Sequence, residues 1–149
     1  MLIVGLGNPL MGDDGVGHAV VEQLRRSLAD RHGVRAEYGD TDALRLPSLW
    51  HGEEEVWLVD AVSSGAPPGT IHRLDHETLL AVPQEHHHAH RLSLPDSLRW
   101  IALGVPEMAS VRYRLWGIEV RRVAPAEGLS PVVAAAAEQV AAEIADRLV

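Results

Sequence analysis

Apolar residues change their spacing several times along the chain, and each change marks an element. Leu2-Ile3-Val4 is a short continuous apolar run stopped by Gly5-Leu6-Gly7, the pattern of a strand buried on both faces. From Val16 the apolar positions recur every fourth residue, at Val16, Val20, Leu24 and Leu28, with Glu22, Arg25, Arg26 and Asp30 falling elsewhere. That period predicts an amphipathic helix, with Asp13 or Asp14 as its N-cap, Asp13 preferred, and Gly33 as its stop. Val34 to Gly39 reads as a second strand, and Thr41 to Trp50 as a short helix broken at Pro47. Val56 to Val62 is the clearest buried strand, and Ser63 to Gly69 a loop. Thr70 to Leu74 reads as a short strand and His76 to Ala81 as a helical turn. Pro83 to Arg91 is irregular and rich in histidine. Leu94, Leu98, Ile101 and Ala102 share one face of a helix from Ser93 to Leu103. Val111 to Val120 alternates as a strand with one wetter face. Ser130 then reads as an N-cap with Pro131 at the first helical position, and Val133, Val140, Ile144 and Leu148 mark the buried side of a last helix.

The order β-α-β-α-β-β-α-β-α predicts an α/β fold of three layers, α/β/α, around a mostly parallel five-stranded sheet. No repeat, linker or shift in composition interrupts residues 1–149, so they read as a single domain. The apolar share of 46% is enough for one core. The balance of 13 basic to 21 acidic residues, net -8, argues against nucleic acid or an anionic membrane as partner. All the basic residues are Arg. The absence of Lys excludes Schiff-base chemistry and a P-loop lysine, and the absence of Cys excludes a thiol nucleophile, zinc-thiolate and iron–sulfur sites. No apolar run approaches the roughly 18–20 residues that span a bilayer. Met1 to Gly7 is too short and uncharged for a secretory signal. The expectation is a soluble, cytoplasmic protein.

In open α/β sheets, sites lie beyond the carboxyl ends of the strands. Three such places carry polar groups: the segment Gly5 to Gly17, Asp60 at the end of the third strand, and His86, His87, His88 and His90 before the Ser93 helix. Gly5-x-Gly7 has the start of a dinucleotide fingerprint, but Leu10 stands where the third glycine belongs and Asp13 and Asp14 repel a pyrophosphate. Two adjacent acids in a glycine-rich loop exceed what one helix cap requires. Two carboxylates with one imidazole suit a divalent metal, the imidazole favouring nickel or zinc over magnesium, and spacing alone leaves open which histidine takes part. His76-Glu77-Thr78-Leu79-Leu80 lacks the second histidine of a zinc-protease helix, and no Gly-x-Ser-x-Gly elbow is present. Ser63 and Ser64 have no evident base, His72 reads as structural, and Trp50, Trp57, Trp100 and Trp116 read as core or rim.

The segment Gly5-Leu6-Gly7-Asn8-Pro9-Leu10-Met11-Gly12-Asp13-Asp14-Gly15-Val16-Gly17 resembles the N-terminal signature of the hydrogenase maturation endopeptidases. Val59-Asp60-Ala61-Val62 with Pro68-Gly69 resembles their second motif, His90 to Leu98 their third, and Gly117-Ile118-Glu119 with Gly128 to Pro131 their fourth. The resemblance runs in order over nearly the whole chain. It implies a phosphorylase/hydrolase-like fold and an endopeptidase that removes the C-terminal extension of the [NiFe] hydrogenase large-subunit precursor after nickel insertion. It carries the metal-contacting roles onto Asp14, Asp60 and His90, with nickel presented by the substrate rather than held as a resident cofactor. Gly5, Gly7 and Gly12 are expected to let the loop turn tightly, and Asn8 to tie it with its side-chain amide. The family's second strand leads into an Asp-Gly-Gly-Thr-like turn. Here Tyr38-Gly39-Asp40-Thr41-Asp42 stands instead, so no role is carried onto Asp40. His86 to His88 either modulate nickel binding or form a solvated loop.

Two other readings fit part of the pattern. Ile3 to Pro9 is also the opening of peptidyl-tRNA hydrolases, but Leu10-Met11-Gly12-Asp13-Asp14 departs from that family, Asn8 is the only asparagine, and the charge disfavours tRNA. A nickel-sensing chaperone of the large subunit that does not cut it would use the same three ligands.

Overall fold

A computed structural model describes residues 1–83, 93–121 and 123–149. The histidine-rich stretch, with His86, His87, His88 and His90, lies outside the described residues. Strand β1 (Leu2–Gly5) pairs in parallel with β2 (Arg35–Tyr38) on one side and β3 (Glu55–Val62) on the other. β5 (Arg112–Glu119) runs parallel to β3, and β4 (Ile71–Leu74) runs antiparallel to β5 at the edge. The five-stranded order is β2-β1-β3-β5-β4.

The period-2 alternation of the strands divides the core in two. Ile3, Trp57, Val59, Trp116 and Ile118 face helices α1 (Val16–Ser27) and α5 (Pro131–Arg147). Leu2, Val4, Val56, Leu58 and Leu115 face the other way, against α2 (Leu46–Leu49), α3 (His76–Leu80) and α4 (Leu94–Gly104). Helices on both faces explain why β1 has no polar position and is buried throughout. This is the expected three-layer α/β/α arrangement. Trp57 and Trp116 are core, whereas Trp100 is exposed on α4.

α1 approaches the sheet more closely than side chains would permit. A Cβ on Gly17 would stand 2.4 Å from Leu6 O and 2.6 Å from Val59 O, and one on Gly5 would stand 2.1 Å from Gly17 O. The first turn of the helix therefore rests backbone to backbone on the end of β1 and on β3 at Val59.

Several helix ends differ from expectation. Neither Asp13 nor Asp14 caps α1. The chain makes a 3-10 turn at Gly12–Gly15, and Gly15 holds the N-cap place with no side-chain bond. Asp13 instead accepts from Ser130 N (2.7 Å) and Ser130 Oγ (2.8 Å) at the start of α5, so the Ser130 hydroxyl does not cap its own helix. A charge-assisted bond to a carboxylate outcompetes a neutral hydroxyl cap. α1 stops at Ser27, before Gly33, because Ala29 to His32 are exposed and supply nothing to extend the buried stripe. Pro47 does not break a helix. It lies in the first turn of α2, where a missing N–H costs nothing.

The loop after β3 is closed by Glu119, the last residue of β5 and 1% exposed. Its Oε1 accepts from Ser64 N (2.6 Å) and Gly65 N (3.0 Å), and its Oε2 from Ser64 Oγ (2.8 Å) and His72 Nε2 (3.0 Å). Burial pushes this carboxyl up, but the bonds from Ser64, His72 and Gly65 outweigh it and hold the group below its ordinary value. His72 is structural, as expected.

Two predictions follow from the packing. Glu119→Ala strands the amides of Ser64 and Gly65 and should cost about 2 kcal/mol near neutral pH. Because the folded carboxyl titrates below the unfolded one, this contribution is complete above the ordinary carboxylate range and is lost as pH falls through the folded value. Urea denaturation should show the gap between wild type and variant narrowing as pH falls below the ordinary carboxylate range; a gap independent of pH contradicts it. Tyr113 is buried with no partner for its hydroxyl among the described residues, and burial pushes it up to about 12. Tyr113→Phe should therefore raise stability, by about 1 kcal/mol, and a loss in the same assay contradicts this.

Candidate functional site

From β1 the chain moves to β2 on one side, while β3 lies on the other, so the sheet changes direction at the β1/β3 crevice. Crevices of this kind, beyond the carboxyl ends of parallel strands, are where open α/β sheets bind ligands. β1 runs into Leu6-Gly7 at that point. Leu6 N donates to Val59 O (2.8 Å), which brings Asp60 level with the turn. Gly7 has a φ of 114°, and a Cβ there would stand 2.0 Å from Asp14 O. Asp14 and Asp60 therefore adjoin the same two-residue turn from opposite directions in sequence. Any side chain at position 7 would push the Asp14 backbone away.

The carboxylate of Asp14 is partly exposed, and its Oδ2 accepts from Asn8 N (2.8 Å). Asn8 Oδ1 in turn accepts from Leu10 N (3.0 Å), the expected tie across the loop. Gly12 has a φ of 61°, a conformation that glycine adopts without strain. Gly5 serves a different purpose from the one expected of it: it makes room for α1 rather than a turn. Asp60 is partly exposed and shares the parity of Val56 and Leu58, the strand positions that face α4. The segment that would bring His90 to this edge lies outside the described residues. Among the described residues, no three His, Asp or Glu side chains form a metal-holding group.

Asp13 and Asp14 are neighbours with separate tasks. The former is committed to Ser130 and the latter stays within the signature loop. Asp40 enters the site through its backbone, as its carbonyl accepts from Gly7 N (3.3 Å). Its side chain is held by Thr41 N (2.8 Å) and Arg45 (3.0 Å). The Thr41 amide, with Arg45 adding to it, keeps that carboxyl below its ordinary value. Ser64 is no nucleophile in this geometry: its hydroxyl and His72 both bond to Glu119 rather than to each other. Beside the signature loop a groove of about 510 Å³ is lined by Pro9, Gly12, Gly15, His18, Tyr38 and Leu129, among others. His18 Nε2 lies 3.0 Å from Gly39 O and the ring stacks on Tyr38.

Sequence reasoning found the two acids of the crevice and missed the tasks of Glu119 and Asp13. Glu119 had a signal: an acid ending an apolar strand, opposite a Ser-Ser-Gly loop. The Asp13–Ser130 pair spans 117 residues and has no local signature.

Residues 18–147 match the family model described as hydrogenase maturation protease. The chain is 29% identical over 139 residues to the hydrogenase 2 maturation protease of Escherichia coli, covering 93% of this chain and 84% of that protein. It is 35% identical over 101 residues to a putative hydrogenase maturation protease of Methanocaldococcus jannaschii, covering 66% of this chain and 65% of the relative's length. Against the HupD protein of Thiocapsa roseopersicina the matched part spans 34% of the relative's length. Among solved structures, the maturation protease HybD from Thermococcus kodakarensis superimposes with a TM-score of 0.71 at 29% identity, covering 99% of this chain and 97% of that one. The maturating endopeptidase HybD of E. coli gives 0.76 at 26%, covering 96% and 88%. The chain belongs to the hydrogenase maturation protease family.

Proposed function

We propose that the protein is a nickel-gated endopeptidase acting on the [NiFe] hydrogenase large-subunit precursor, from which it removes the C-terminal extension. Asp14, Asp60 and His90 contact the nickel that the precursor presents. The observation that carries this reading is the convergence of Asp14 and Asp60 on the Leu6-Gly7 turn at the β1/β3 crevice, in a chain of this family. The names of its relatives as maturation proteases and endopeptidases support the activity.

The donor set fits the ion. Carboxylate oxygens supply charge and an imidazole supplies the borderline nitrogen donor that favours nickel. Oδ1 of Asp14 makes no hydrogen bond among the described residues, so one oxygen of that carboxylate is open to a ligand. A nickel already seated in the precursor docks against acids that would otherwise repel each other, so cleavage waits on nickel insertion. The chain has no Cys and Ser64 is committed to Glu119, and this reading takes water as the nucleophile. Its oxygen bonds the scissile carbonyl carbon, one of its O–H bonds and the C–N bond break, and the amine leaves with that proton. The groove beside the loop, lined by Pro9, Gly12, Gly15 and Leu129, adjoins the proposed site and is the place for the substrate's peptide in this reading.

Intact-mass analysis of nickel-loaded and nickel-free precursor mixed with the protein tests this. Loss of a C-terminal fragment from the loaded form alone is the expected result. Asp14→Asn, Asp60→Asn and His90→Ala should each slow cleavage by at least about 100-fold, with little change in melting temperature. Cutting of both forms, or full activity in all three variants, overturns the reading. Nickel-dependent binding without cleavage would identify a non-cutting chaperone instead.

A further inference from the structure

The signature loop is fastened to a distant part of the chain by bonds that the proposed chemistry does not use. Asp13 Oδ1 accepts from Ser130 N (2.7 Å) and Asp13 Oδ2 from Ser130 Oγ (2.8 Å), so both oxygens are spent on one residue. One step earlier, Gly12 N donates to Ala126 O (3.0 Å) and Ala126 N to Leu10 O (3.2 Å), with Met11 and Ala126 forming a parallel bridge. Apart from α1, which continues from it, and Asn8 in the same loop, the stretch Leu10 to Asp14 is hydrogen-bonded to the rest of the described residues only at Ala126 and Ser130. The anchor itself is firm. Ser130 begins α5, whose Val133, Val140 and Ile144 are fully buried against the core shared with α1. The carboxylate of Asp13 also lies at the positive end of that 17-residue helix, which favours its charge.

We infer that Asp13 is a positioning residue for the reaction: its two-pronged bond to Ser130 locks the signature loop to the start of α5 and thereby fixes where the neighbouring Asp14 carboxylate points. This rests on the reading that Asp14 contacts the substrate's nickel. Among the described residues the Asp14 side chain bonds only to Asn8 N, inside the same loop, so that bond moves with the loop and does not fix it against the sheet. A loop released from Ser130 keeps its own fold and loses its place relative to Asp60. An error of about 1 Å at a reacting centre costs on the order of 100-fold in rate. Two adjacent acids thus divide the work: one holds the loop and the other meets the substrate.

The test is steady-state cleavage of nickel-loaded precursor by full-length variants, per folded molecule, at a temperature well below unfolding. Asp13→Ala, which removes both bonds, should lower kcat at least tenfold, as expected for a misplaced group, with KM little changed; Ser130→Ala, which keeps the Ser130 N bond, should lower kcat by less. Ser130→Thr, which keeps the hydroxyl, should restore most of the rate. Val140→Ala, a cavity in the same helix, serves as a control that lowers the melting temperature without changing kcat. If Asp13→Ala and Ser130→Ala cut at the wild-type rate while Asp14→Ala is inactive, the positioning role is overturned and the proposed function stands. If their losses only track melting temperature, as Val140→Ala would show, the role is structural and the inference falls. If Asp14→Ala itself cuts normally, the proposed function fails and the inference fails with it.

Discussion

The approach of α1 to the sheet at Gly5 and Gly17 is the contact on which the other features depend. A single methyl group at Gly17 would collide with Leu6 O, just past the end of β1, and Val59 O, beside it in β3. Without side chains there, the helix start is pressed onto the point where the sheet changes direction. Val16, Val20 and Leu24 can then seat fully in the core beside Ile3 and Val59. The same contact leaves the chain little room between the end of β1 and the start of α1. It doubles back through Gly7 and Gly12, both at positive φ, and carries Asp14 against the turn that Asp60 also adjoins. A backbone contact in the core thus determines which side chains stand at the surface crevice.

Around that crevice the acids are sorted by their donors. Glu119 is buried and satisfied by Ser64, Gly65 and His72, which holds down the loop following Asp60. Asp13 is spent on Ser130, and the Asp40 side chain on Thr41 and Arg45. Asp14 keeps an oxygen that no described residue engages. In a chain with net charge -8 and no Lys, such negative charge at a strand end is a standing preference for a cation. The proposed substrate brings that cation with it.

Much of this was legible in the sequence because burial writes itself into composition. Leu2 to Val4 and Val56 to Val59 are continuous apolar runs since helices cover both faces of the sheet, and the spacing of Val16, Val20 and Leu24 follows from one helix face meeting it. The crevice was legible too, since acids and glycines clustered after apolar strands stand out against the runs that precede them. What could not be read were contacts closed by tertiary structure. Asp13 looked like a cap for the helix next to it, and only the fold shows Ser130 as the stronger donor. Gly33 looked like a helix stop, but the buried stripe had already ended, and Pro47 starts a helix it seemed to break. Glu119 lay in a recognised motif without a task, because its partners Ser64 and His72 belong to a loop and an edge strand that meet only when β5 is in place.

The claim at the centre of this account is that Asp14 and Asp60 together face one nickel ion at the β1/β3 crevice. Anomalous diffraction at the nickel edge from crystals soaked in a nickel salt measures that directly. The account predicts a peak within about 2–2.5 Å of an oxygen from each of the two carboxylates, beside the Leu6-Gly7 turn. A nickel peak elsewhere on the protein with this crevice vacant, or bound to one of the two acids with the other turned away, would contradict it.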